Sequence, residues 1–132
     1  MAVISELGEL WNTTAGNKTV TATPAVDDLV VVVAGASSMA VGDDISVSDN
    51  GAGGTYTRIT RAIGGGTAGM LDIWIRNGLV SSAVSTIYTA TITGDTGGGL
   101  TVLKVTGMLR TGSEAALQSK NCLLYTSPSP RD

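Results

Sequence analysis

A chain of 132 residues can close one hydrophobic core but not two, and a net charge of −3 with a pI near 4.7 excludes the basic stripe that a nucleic-acid-binding domain carries. Histidine is absent and cysteine occurs once, at Cys122, which excludes Ser-His-Asp and Cys-His catalysis and any soft metal site. The longest apolar run, residues 29–34, is far below the roughly 20 residues of a membrane-spanning helix, and Lys18, Arg58, Arg61, Arg76, Lys104 and Arg110 stand singly, so neither membrane insertion nor a polybasic membrane patch is expected.

The first residues, Met1-Ala2-Val3-Ile4-Ser5-Glu6, have no basic flank and do not read as a secretory signal. Residues 7–14 are expected as a short strand, and residues 18–23 as a second that Pro24 stops. Pro24-Ala25-Val26-Asp27-Asp28 supplies a turn, since Pro fixes φ and Asp bonds its own backbone. It delivers the chain into residues 29–34, whose unbroken apolar character predicts a central strand buried on both faces.

After a Gly, Ser and Ala loop closed by Asp43-Asp44, residues 45–48 alternate as a half-buried strand does. Asp49-Asn50-Gly51-Ala52-Gly53-Gly54 tolerates positive φ and predicts a hairpin into residues 55–61. Beyond a Gly64-Gly65-Gly66 loop comes a strand over residues 70–76, expected to point Leu71, Ile73 and Ile75 inward and Met70, Asp72, Trp74 and Arg76 outward. Residues 85–93 and 100–106 are two more strands around a glycine-rich turn, and residues 113–119 are a helical turn or a loop.

With no phenylalanine in the chain, Trp11, Trp74, Tyr56 and Tyr88 are the candidate anchors of a Val, Ile and Leu core. Seven or eight short strands with regular turn signals predict an all-β fold, an antiparallel β-sandwich of jelly-roll or immunoglobulin-like type, as a single domain over residues 1–121.

The segment 122–132, Cys122-Leu123-Leu124-Tyr125-Thr126-Ser127-Pro128-Ser129-Pro130-Arg131-Asp132, resembles one reading frame of a transposase-type sequencing adapter at every residue. It is expected to be a non-native tail that takes no part in the fold. A reading frame cut near Asn121 is the corollary, with further strands expected in the uninterrupted gene product.

Four stretches carry a family resemblance: residues 29–33 after an acidic turn, Val47-Ser48-Asp49-Asn50-Gly51 leading into Thr55-Tyr56-Thr57-Arg58, Leu71-Asp72-Ile73-Trp74-Ile75-Arg76-Asn77, and Val102-Leu103-Lys104-Val105-Thr106-Gly107. Together they resemble a β-sandwich module of tailed-phage and environmental viral structural proteins and of bacterial surface proteins. The resemblance spans about residues 19–108. Lys104 stands where such modules often have Glu, and Gly53-Gly54 lengthens the turn. What it implies is a non-catalytic structural module of a phage virion or tail-associated protein, packing against other virion or surface-protein subunits, in the virion or at the cell surface.

A different class of function is kept beside it: a carbohydrate-binding or adhesive module with a glycan as partner. Its candidate ligand-binding residues are Trp74, Tyr56, Asp49 and Asn50, because an exposed aromatic beside polar groups can stack on a sugar ring. The acids Asp27, Asp28, Asp43, Asp44, Asp49 and Asp95 all fall in expected turns, where local backbone bonding accounts for them. Ca²⁺ is the one cofactor they suit, as hard oxygen ligands, with Asp43, Asp44 and Asp49 the candidate metal ligands beside Asn50. The glycine clusters lack the Lys-Ser/Thr ending of a phosphate loop and read as turns.

Overall fold

Segments rich in Val, Thr and Ile, bounded by Gly, Asn and Pro, form eight strands in the computed structural model of the chain, which describes residues 2–51, 54–64, 69–94 and 97–107. The strands are β1 (Val3–Asn12), β2 (Lys18–Ala22), β3 (Leu29–Ala36), β4 (Ile45–Asp49), β5 (Tyr56–Ile63), β6 (Met70–Arg76), β7 (Thr86–Ile92) and β8 (Gly98–Thr106), with no helix among the described residues. The segment 108–132, with the expected tail and the 113–119 turn, lies outside them, as does Asp95.

A five-stranded sheet in the order β1-β8-β3-β6-β5 faces a three-stranded sheet in the order β2-β7-β4, and every pairing is antiparallel. The chain is therefore the expected all-β sandwich. β1 pairs with β8, β2 with β7 and β3 with β6, so three nested pairings follow the winding of a jelly roll. The fourth, β4 with β5, is not made, because β5 flanks β6 instead.

The hairpin expected at Asp49-Asn50-Gly51 is accordingly an arch between the two sheets. Asn50 continues the small sheet, donating its N–H to the Ile87 carbonyl (3.2 Å) while its Oδ1 accepts from the Ile87 N–H (2.7 Å). The Gly51 N–H then turns onto Asp49 Oδ1 (2.8 Å), and the chain leaves for the other layer. Gly54 passes so near the Asp49 carboxylate that a Cβ there would collide with it.

β3 lies in the middle of the large sheet, as its apolar run predicts, but it is not buried on both faces as expected: Val30, Val32 and Ala34 are fully buried on the inner face, whereas Val31 and Val33 on the outer face are half-buried. The three inner residues meet Leu100 and Val102 of β8, Ile45 and Val47 of β4, and Tyr88, Ala90 and Ile92 of β7 in one core cluster. Burial of a single side chain such as Leu100 contributes about 1.5–3 kcal/mol, so this interlayer is the main source of stability. The turn after β2 forms as expected: Asp27 takes a left-handed φ of 72°, and Asp28 Oδ2 accepts the Ala25 N–H at 2.8 Å.

The faces of β6 are reversed from the sequence expectation. Met70, Asp72 and Arg76 are buried at 8, 0 and 8 % exposure, whereas Leu71 is 45 % exposed on the outer face. Ile73 is half-buried there, and Ile75 is buried but stands outside the core cluster. Period-2 alternation assigns residues to two faces but cannot say which is inside when both carry large apolar side chains. The choice is made by polar partners on β5, Arg61 above all.

Both edges of the large sheet carry a bulge, at Leu7 in β1 and at Ile59 in β5. Bulges twist an edge away from further strand pairing.

Candidate functional site

β4 is tied to the edge strand β5 at both of its ends, and these two clasps use three of the residues singled out from sequence, Asp44, Asp49 and Tyr56. At the C-terminal end the Tyr56 hydroxyl donates to Asp49 Oδ2 at 2.6 Å. Burial and the neighbouring Asp49 carboxylate raise the Tyr56 phenol far above its ordinary value of 10. Burial, with the charge of Asp49, pushes Tyr88 up to about 12. Tyr56 and Asp49 are thus joined directly, while Asn50, exposed beside them, bonds the Ile87 backbone instead.

At the N-terminal end the Arg61 guanidinium makes a two-pronged pair with Asp72, Nε to Oδ1 at 2.7 Å and Nη2 to Oδ2 at 2.6 Å. Its Nη2 also reaches Asp44 Oδ1 at 2.6 Å, which spans the two sheets. The Arg61 hydrogen bond holds the Asp44 carboxyl below its ordinary 3.8, and the bonds to Asp72 and Asp44 raise Arg61 further. Arg76, on the same inner face as Asp72, donates to the carbonyls of Gly78 and Leu79, each at 3.0 Å.

The bulge at Ile59 makes this cluster possible. Arg58 lies opposite Trp74 and Arg61 opposite Asp72, and two residues three apart share a strand face only if one extra residue intervenes. Trp74 is correspondingly not on the outer face. It is half-buried, packed against the core cluster, with the Arg58 guanidinium 5.8 Å from its ring centroid, a cation–π contact. Its Nε1 is buried without an acceptor among the described residues. The aromatic expected to stack on a sugar is therefore half-buried against the core, with Arg58 over its ring.

The proposed metal ligands are separated. Asp43 Oδ2 accepts the Ala40 N–H at 2.8 Å, Asp44 faces Arg61, and Asp49 sits at the far end of β4, roughly 13 Å along a strand that rises about 3.3 Å per residue. Among the described residues no group of three or more His, Cys, Asp or Glu side chains is placed to hold a metal ion. Each carboxylate of the clasps is engaged by an arginine, a phenol or a backbone N–H.

The surface feature that sequence reasoning missed is the outer face of the large sheet. Trp11, taken as a core anchor, is 44 % exposed there. Its Nε1 donates to Thr101 Oγ1 at 2.9 Å, and its ring fills the space over Gly99 and Gly35 that two side chains would occupy. Beside it lies a cleft of about 750 Å³ lined by Trp11, Gly35, Ala62, Ile63 and Leu71, with Asn12, Thr13 and Ser37 at the rim. Below the cleft the face continues through half-buried Val31, Val33, Ile73, Leu103 and Val105 to Ile4, which is 68 % exposed. The glycines at positions 35 and 99 were visible in the sequence, but their alignment under one indole depends on pairings between distant strands.

No helix among the described residues is long and apolar enough to cross a membrane. No family model, curated protein or solved structure was found to match this chain.

Proposed function

We propose that this chain is a non-catalytic assembly module of a phage virion or tail-associated protein, working by packing the outer face of its five-stranded sheet against neighbouring subunits. One observation carries the reading: a contiguous apolar face that includes Trp11, Leu71, Val33 and Ile73 lies outside the sandwich core. Monomeric proteins rarely leave such a face bare, and an antiparallel sheet with one solvated face ordinarily alternates apolar with polar. The engagement of Asp44, Asp49 and Asp72 in structural clasps agrees with a module that performs no chemistry. Jelly-roll winding serves capsid and lectin domains alike, so it supports the reading only in a general way.

Mass spectrometry and electron microscopy of particles from a phage encoding the gene test the proposal. The expected result is the chain in the particle, with its large sheet turned toward a neighbour; absence from purified particles counts against it. A bacterial surface protein would use the same face in the same manner.

A second reading, a carbohydrate-binding module, keeps one observation in its favour. The Trp11 indole is hydrogen-bonded to Thr101 and 44 % exposed beside a cleft whose lining includes Asn12, Thr13 and Ser37, which suits stacking on a sugar ring. On a glycan array read with and without Ca²⁺, this version expects a signal that Trp11→Ala removes. A blank array, or binding indifferent to Trp11→Ala, ends it.

A further inference from the structure

We infer that the occupant of the outer face is a second copy of this chain, docked about a two-fold axis that runs parallel to β3 between the two copies. The inference deepens the assembly reading above and rests on it. It comes from the register of the sheet, which aligns the outer side chains in transverse rows.

The uppermost row runs Trp11, Gly99, Gly35, Leu71, Ala62 across β1, β8, β3, β6 and β5. The next row has Glu9 and Thr60 at its two ends with Val33 in the middle, and the third has Glu6 and Thr57 at its ends with Val31 in the middle. β3 is the central strand of five, so rotation about it exchanges β1 with β5 and β8 with β6.

Each exchange brings unlike neighbours together. Leu71 of one copy lands on the Trp11 indole of the other, where the ring lies low over Gly99. Val33 and Val31 meet their own counterparts on the axis. Glu9 and Glu6, the carboxylates at the β1 margin, fall opposite the hydroxyls of Thr60 and Thr57 rather than opposite each other. A two-fold perpendicular to the strands would instead set β1 on β1 and bring the glutamates of the two copies together, which like-charge repulsion opposes.

The area agrees with a real but modest interface. Leu29, below the third row, is buried at 3 % and Ile75 within that row at 7 %, so the open part is the first two rows with the remainder of the third. Five strands about 4.8 Å apart and six residues of about 3.3 Å rise span roughly 500 Å² per copy, or about 1,000 Å² in all, the lower bound for a specific interface. Two sheets so stacked lie about 10 Å apart with strands inclined about 30°, the ordinary aligned packing.

Sedimentation velocity on the full 132-residue chain, under reducing conditions so that Cys122 forms no disulfide, tests the inference. The expected result is a reversible dimer, of twice the 13.3 kDa chain mass, in the micromolar range. Leu71→Lys, on an exposed position, is expected to weaken dimerisation at least about tenfold with an unchanged circular dichroism spectrum, since the contact occurs twice. Thr60→Lys is expected to tighten it several-fold by facing Glu9 of the other copy, a gain that misfolding cannot mimic, and Glu9→Gln added to it should cancel the gain.

A monomer at every concentration overturns the inference, and so does a dimer indifferent to Leu71→Lys or to Thr60→Lys. A monomer here whose gene product is nonetheless found in particles sinks the two-fold alone. A dimer absent from particles sinks the assembly reading alone.

Discussion

The two faces of the five-stranded sheet are built on opposite terms. The inner face buries charge: Asp72 at 0 % exposure, paired with Arg61, and Arg76 at 8 %, bonded to backbone carbonyls. The outer face presents Leu71, Ile73, Val33 and Trp11 to whatever lies outside the sandwich. The contrast teaches that polarity alone does not tell inside from outside. A charged residue can be interior where a partner of fixed geometry satisfies it, and an apolar one can stand on the exterior.

Breaking the buried pair is expected to have the largest effect. Asp72→Ala leaves the Arg61 guanidinium in the interlayer without its two-pronged acceptor and should cost about 3–5 kcal/mol in denaturant unfolding. A loss below about 1 kcal/mol would mean that Arg61 swings out to solvent and that the inner face tolerates the change.

Leucines on the two faces sharpen the comparison. Leu100→Ala removes a fully buried side chain and should cost about 2–5 kcal/mol by the same measurement, whereas Leu71→Ala should stay within about 0.5 kcal/mol in the monomer. Equal costs would place both side chains in one environment and contradict the face assignment.

The clasp at the other end of β4 is expected to contribute less. Tyr56→Phe removes a hydrogen bond to a carboxylate, worth about 1.5 kcal/mol. Tyr56 and Tyr88 are both raised above 10 in the folded chain. Their contribution is therefore fully present below pH 10 and is lost as the pH rises through their folded values. Alkaline titration followed by tyrosinate absorbance should show these two tyrosines ionising only as the chain unfolds.

Asp44 carries the opposite sign and the smallest effect. Its carboxyl is held below 3.8, so its contribution is present above that pH and fades as the pH falls below it. Asp44→Asn should lower the melting temperature slightly at neutral pH and converge with the parent chain in acid, so that a small part of the acid-limb slope disappears; the effect is small because the side chain is 58 % exposed.

The fold class was legible because local chemistry and pattern agreed. The apolar run from Leu29, the alternation of Ile45 and Val47 with serines, and the turn at Pro24 each mean the same thing in isolation as in the sandwich. The face of β6 was not legible, since Met70 and Trp74 on one side and Leu71 and Ile73 on the other are equally plausible core. Arg61 decides the matter, and it points inward only through the bulge at Ile59, which nothing in the local sequence marks. Trp11 was misplaced for a similar reason. Its seat over Gly35 and Gly99 is made by residues 24 and 88 positions away.

The nested winding also bears on how the chain acquires its structure. Its outermost pairing joins Val3 to Thr106, nearly the whole described length apart, while β3 and β6 meet across a much shorter stretch. Closing the larger loop costs more chain entropy before any contact rewards it, and topologies of this kind fold on the millisecond-to-second scale. The edge strand β1 should accordingly dock last, and stopped-flow mixing that followed Trp11 on β1 against Trp74 on β6 would resolve the order of their arrival.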